Sequence, residues 1–260
     1  MVLIAVVNSS SVVSNSDVAL MTTAVQVQLN LHFCPAWGLS NIICKYYADP
    51  SKVPGYAALI KVIDTDANVP DALAYHTEEE YNGHDRLTGY ILAKTILDNG
   101  GKVLSGAVDT VSSALSHEVL ELVADRYCGF YAVGKTIQQG SFYALEVCDP
   151  VQGAGYLINI PNNTATTAFH KLGLAVNAGT TPVMVSDFVF PSFFNSMADA
   201  SNAPFSYMKS VHAPFTMMAG GYMVVSDGTN FNQIFGKDVP NWKREMKQKK
   251  GSRAARRAGF

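Results

Sequence analysis

Ser116-His117-Glu118-Val119-Leu120-Glu121 is the stretch on which the reading of this chain turns. Residues four apart on an α-helix share a face, so His117 and Glu121 project together toward one cation. Glu118 points to the adjacent side, where a metal-bound water would lie. This is the spacing of the HExxH metal-binding helix with Glu in place of the second His. Imidazole nitrogen and carboxylate oxygen both ligate zinc, and a catalytic zinc needs a third protein ligand with water in the remaining position. On a solvated helix face the same string would mean nothing. Here the flanks Ala114-Leu115 and Val119-Leu120 are apolar, so the acidic residues are expected to be buried, and buried carboxylates require a partner.

Working outward, Val111, Leu115, Val119, Leu122 and Val123 form an apolar stripe that predicts a helix from Val108 to Asp125, capped by Asp109. The third ligand must come from elsewhere. Glu146 and Asp149, in Leu145-Glu146-Val147-Cys148-Asp149-Pro150, lead because they form an acidic pair in an otherwise apolar run. Asp125 is expected to hydrogen-bond a ligand from behind. His76, in Ala74-Tyr75-His76-Thr77, and Cys148 are the lesser ligand candidates.

The chain has 260 residues, of which 48% are hydrophobic and 15% charged, enough apolar material for one substantial core. No run approaches the roughly 20 apolar residues that cross a bilayer. Val2 to Val7 lacks the basic flank and the length of a signal peptide and is expected to be a buried strand. Cys34, Cys44, Cys128 and Cys148 are too scattered for a disulfide framework or a zinc knuckle, and free thiols in a reducing cytoplasm are expected. A helix capped by Ser16 or Asp17 carries Val18, Met21, Val25, Leu29 and Phe33 at helical spacing and stops at Cys34-Pro35-Ala36-Trp37-Gly38. Ala57–Asp64 and Tyr156–Ile160 are expected strands, Ala72–His76 a short edge strand, and Phe142–Cys148 extended. Tyr90–Leu97 fits strand or helix equally. The fold class that follows is α/β or α+β, a small mixed sheet packed over two long helices.

Several segments together carry a resemblance. Gln26-Val27-Gln28 through Pro35-Ala36-Trp37-Gly38, Ala74-Tyr75-His76, Ser116 to Asp125, Glu146 to Val151, Ser186-Asp187-Phe188-Val189-Phe190-Pro191-Ser192-Phe193-Phe194, and Pro214-Phe215 through Gly220-Gly221-Tyr222-Met223 are similar to a metallopeptidase-like family of bacteria and tailed phages. The likeness spans roughly residues 1 to 235. It implies a zincin-like fold with one Zn²⁺ or other divalent cation held by His117, Glu121 and one of Glu146, Asp149 or Asp125, and Glu118 as the catalytic base. It also implies a protein made in the host cytoplasm and built into the virion, beside neighbouring subunits or further copies of itself. One departure is that Arg126 follows Asp125 where the family pattern has Pro, before a short loop. A second carboxylate ligand donates more charge than His and lowers the Lewis acidity of the metal, so weak peptidase activity is expected. An active cytoplasmic zinc peptidase is the alternative.

Two further features invite a functional reading. The aromatic run Ser186–Phe194 and the Met217, Met218, Met223 cluster are expected at a subunit interface. Residues 243–260 hold eight basic side chains against Glu245 alone, a net +7 that leaves −9 on residues 1–242. Residues 1–242 therefore form the expected domain and 243–260 a basic arm, suited to an acidic neighbour or to nucleic acid through Lys243–Arg257. A nucleic-acid-binding accessory protein is the third reading, disfavoured by the acidic body.

Overall fold

A computed structural model describes residues 2–69, 72–126, 129–134, 141–162, 179–201 and 203–237. The basic arm and the boundary at Trp242 lie outside the described residues. Strand β1 (Val2–Asn8) opens the chain, and its near-continuous apolar run is buried at Leu3 through Val7. That pattern belongs to a central strand covered on both faces. Helix α1 (Asn15–Gln28) follows, capped by Ser14, whose Oγ accepts from the Asp17 amide, rather than by Ser16 or Asp17. The rod continues through a π-turn at Leu29–Phe33 and a short helix α2 (Cys34–Trp37), ending on Gly38 in the left-handed region. Pro35 has no N–H and would clash with the carbonyl one ordinary turn back; the wider π-turn accommodates it without ending the rod.

Strands β2 (Ile42–Tyr46), β3 (Ala58–Ile63), β4 (Ala74–Tyr81) and β5 (His84–Leu92) complete a five-stranded sheet in the order β2-β1-β3-β5-β4. The pairs β1–β2, β1–β3 and β3–β5 are parallel and β4–β5 is antiparallel, so the sheet is mixed. The expected edge strand at Ala72–His76 is thus real but longer. It turns through Asn82 and Gly83, both with positive φ, into β5. The ambiguous stretch Tyr90–Leu97 is both elements in turn, since β5 ends at Leu92 and α3 (Ala93–Asp98) begins at once.

Helix α4 (Val111–Ala124) carries the metal-site string. Its cap is Thr110, one residue beyond the expected Asp109, in a reciprocal box with Ser113. The two main helices have fourteen residues each. Only the first, prolonged to Trp37, makes a long rod, so the expected pair of long helices is corrected to one. Beyond α4, β6 (Tyr131–Val133) and β7 (Phe142–Ala144) join β10 (Tyr222–Ser226) and β11 (Phe231–Phe235) in a four-stranded antiparallel sheet. The extended segment expected through Cys148 ends at Ala144, because the following residues turn toward α4. Strands β8 (Gly155–Pro161) and β9 (Thr180–Ser186) form a separate hairpin beside α1 and α4.

The main core lies between the five-stranded sheet and the two helices and includes Ile4, Val6, Val25, Leu29, Ile60, Val62, Leu115, Val119 and Leu120. Phe188, Val189 and Phe193 are fully buried in the same core and Met223 nearly so, with Met217 and Met218 packed against it. The expected interface is corrected for Phe188, Val189, Phe193 and Met223, which are spent on the chain's own interior, while Phe190, Phe194, Met217 and Met218 are only partly buried. No helix among the described residues is long and apolar enough to cross a membrane.

Candidate metal centre

Helix α4 is enclosed by β4 and β5 of the sheet, by α1 and α3, and by β9. Of its fourteen residues only Ser113, Ala114 and Ala124 are partly exposed. A helix covered on all sides must satisfy its polar side chains within the protein. Ser116 does so structurally. Its Oγ donates to Gln28 Oε1 at 2.7 Å and accepts from the Ser186 amide at 3.1 Å. Gln28, itself fully buried, donates to the Ser186 carbonyl at 2.8 Å and to the Tyr156 hydroxyl at 3.1 Å. This polar junction fixes α4 against α1 and β9. Ser116 is thereby a positioning residue for the helix, not a nucleophile.

One residue further, the metal string converges as the helical spacing predicts. His117 Nε2 lies 3.1 Å from Glu121 Oε1 and also 3.1 Å from Asp149 Oδ1. Asp149 and Glu121 are fully buried and the His117 side chain is 10% exposed. Ligands about 2.0–2.2 Å from a tetrahedral zinc stand about 3.3–3.6 Å apart from one another, so the His117–Glu121 and His117–Asp149 separations are each close to that of two ligands on one ion. The Cys148 amide donates to Glu121 Oε1 at 3.3 Å and steadies that carboxylate from the loop side.

Glu146 groups with Glu121 and Asp149, their potential ligand atoms all within 4.8 Å of one another, and Cys148 groups with His117 and Glu121 in the same way. Both acidic candidates of the Glu146–Asp149 segment are thus brought to the site, with Asp149 in direct contact with His117. The segment reaches it because the 3₁₀ turn Asp149–Val151, opened by Pro150, folds back beneath β10. Asp125 stands at the end of α4. Its two oxygens accept the amides of Gly129 and Phe130 at 3.1 and 3.0 Å, clamping the chain as it leaves α4.

His76, expected only as a lesser ligand, has a defined partner. Its Nδ1 is 2.7 Å from Glu118 Oε2, with each side chain 2% exposed. Edge strand β4 thus supplies an imidazole to the carboxylate expected to act as base.

The electrostatics agree with a cation site. Burial opposes a charge on His117, but Glu121 and then Asp149 overcome it and push the imidazole up to about 10. Burial, reinforced by Glu121 and Asp149, holds the Cys148 thiol well above its ordinary value. Comparison of the chain with protein-family models, with curated proteins and with solved structures returned no match.

Proposed function

We propose that this chain is a zincin-like, divalent-metal protein in which the ion is chiefly structural, serving as a component of a tailed-phage particle, with peptidase activity weak or absent. The observation that carries the metal reading is the contact of His117 Nε2 with two buried carboxylate oxygens from different segments at equal 3.1 Å distances. The zincin likeness is supported by α4 lying against β4, the antiparallel edge of a mixed sheet. The phage context is supported by the motif resemblance alone.

A divalent ion bound here would supply Lewis acidity toward a carbonyl and acidity to a coordinated water. Glu118 would have to accept the proton. It is already engaged by His76 and is only 2% exposed, whereas a catalytic centre keeps an open position for water and substrate. The closure of the site is what supports a holding role over a hydrolytic one. The same His76–Glu118 contact favours the second reading, an active zinc peptidase, because an oriented carboxylate beside a metal is the general-base arrangement of such enzymes.

Elemental analysis of the purified chain, with assay of a peptide library by wild type and Glu118→Gln, separates the two. Bound divalent metal without cleavage is the expected result. Vigorous cleavage abolished by Glu118→Gln would overturn the structural role, and a metal-free chain that takes up no divalent ion would overturn both readings.

A further inference from the structure

On an α-helix with 3.6 residues per turn, Glu121 falls about 40° around the axis from His117 and about 60° from Glu118, between the two. The structure uses both sides of this position. Toward one side, Glu121 meets His117 and Asp149, with Glu146 adjoining. Toward the other, His76, Glu118 and Glu121 form a second buried group whose potential ligand atoms all lie within 4.8 Å of one another. Glu121 alone belongs to all three groups that can hold an ion among the described residues.

From this juxtaposition we infer that the centre takes two divalent cations bridged by the Glu121 carboxylate, one on His117 and Asp149 with Glu146 adjoining, the other on His76 and Glu118. The inference rests on the metal reading above and extends it. Two-ion sites hold their metals about 3.5–4 Å apart, a separation that one carboxylate spans with an oxygen to each. The donor set is four carboxylates and two imidazoles, the composition used by carboxylate-bridged di-iron and di-manganese proteins. When both imidazoles are ligands and so neutral, the four carboxylates of Glu118, Glu121, Glu146 and Asp149 carry −4, which two divalent ions cancel, as a low-dielectric interior favours; with a single ion beside His117, Glu118 keeps His76 as its partner.

Oxygen-rich, nitrogen-poor ligation favours hard or borderline first-row ions such as Mn²⁺, Fe²⁺ and Zn²⁺ over thiophilic ones. Glu118 becomes a ligand in this arrangement, and its contact with His76 in the ion-free chain marks two donors already gathered around a common point.

The test is to strip the full chain with chelator, dialyse it against Mn²⁺ alone, count bound manganese and record its electron paramagnetic resonance. Wild type is expected to bind two Mn²⁺ per chain with the spectrum of an exchange-coupled pair. His76→Gln and Glu118→Gln are expected to bind one, with the spectrum of an isolated ion. Should either variant fail to fold, the coupled spectrum of wild type needs no variant. One ion per chain in wild type, unchanged in His76→Gln, overturns the two-ion inference and leaves the single-ion reading standing. Two uncoupled ions overturn the shared bridge, and no bound ion overturns the metal reading itself.

Discussion

Replacing Gln28 by Leu keeps the volume of the side chain nearly constant and removes the centre of the polar junction beneath the metal helix. Ser116 then loses the acceptor for its hydroxyl proton and Ser186 loses a donor to its carbonyl. Tyr156 keeps His32, whose Nδ1 is 2.8 Å from its hydroxyl. Two buried groups are left unsatisfied, each costing about 1–3 kcal/mol. The added apolar burial offsets about 1 kcal/mol, so a net loss of about 1–5 kcal/mol is expected against the 5–15 kcal/mol typical of a domain. Urea unfolding in chelator measures this without a contribution from bound metal. Ser116→Ala made in the Gln28→Leu background should then cost less than in wild type, because its hydroxyl no longer has the acceptor it is built for. A loss below about 1 kcal/mol, or strictly additive effects of the two substitutions, would refute the reasoning that this junction locks α4 in place.

Other perturbations test neighbouring parts of the argument. A Cβ on Gly221 would collide with the Pro150 carbonyl oxygen, so Gly221→Ala should displace the Asp149 turn, destabilise the chain by about 1–3 kcal/mol and weaken metal binding in a competition titration. His117 titrates above its ordinary 6.5, at about 10. Its contribution is therefore fully present below pH 6.5 and lost as pH rises toward 10. The metal-free protein should lose stability across that interval, by at most about 1.4 kcal/mol per pH unit, and bound metal should flatten the slope in urea melts. Asp125→Asn leaves a weaker acceptor for the Gly129 and Phe130 amides, so hydrogen exchange should accelerate there while metal content is unchanged. Deleting residues 243–260 removes a net +7; loss of a salt-dependent affinity for polyanions or of assembly, with metal content intact, is the expected outcome by filter binding and light scattering.

Strong periodicity made the framework legible. The spacing of Val18, Met21, Val25, Leu29 and Phe33 marks α1 and the π-turn that prolongs it, and all five are fully buried. The spacing of His117 and Glu121 marks their meeting. The caps lie one to three residues from the expected ones because several Ser, Thr and Asp neighbours are chemically equivalent candidates and only backbone geometry selects among them. Asn82-Gly83 is a strong turn signal, but Glu78, Glu79 and Glu80 dilute the strand pattern around it and hide the β4–β5 hairpin in the sequence. Tyr90–Leu97 resisted assignment because a single apolar run serves a sheet and then a helix without a polar break. Which acid of the Glu146–Asp149 segment would touch His117, and that His76 would face Glu118, depends on how distant segments cross. Local sequence carries little of that information.

The donors of the centre come from β4, from α4 and from the loop before β8. In sequence they stretch from residue 76 to residue 149, and the sheet that carries His76 is itself largely parallel and built from distant partners. Such pairings form late, after the entropy of closing long loops has been overcome. An ion taken up by the proposed centre would therefore find its full set of donors only after those pairings have formed. Metal bound under these terms would slow unfolding while leaving the folding rate nearly untouched. The chain's persistence, measured as a lifetime, would then depend on free metal concentration far more than the speed with which it first folds.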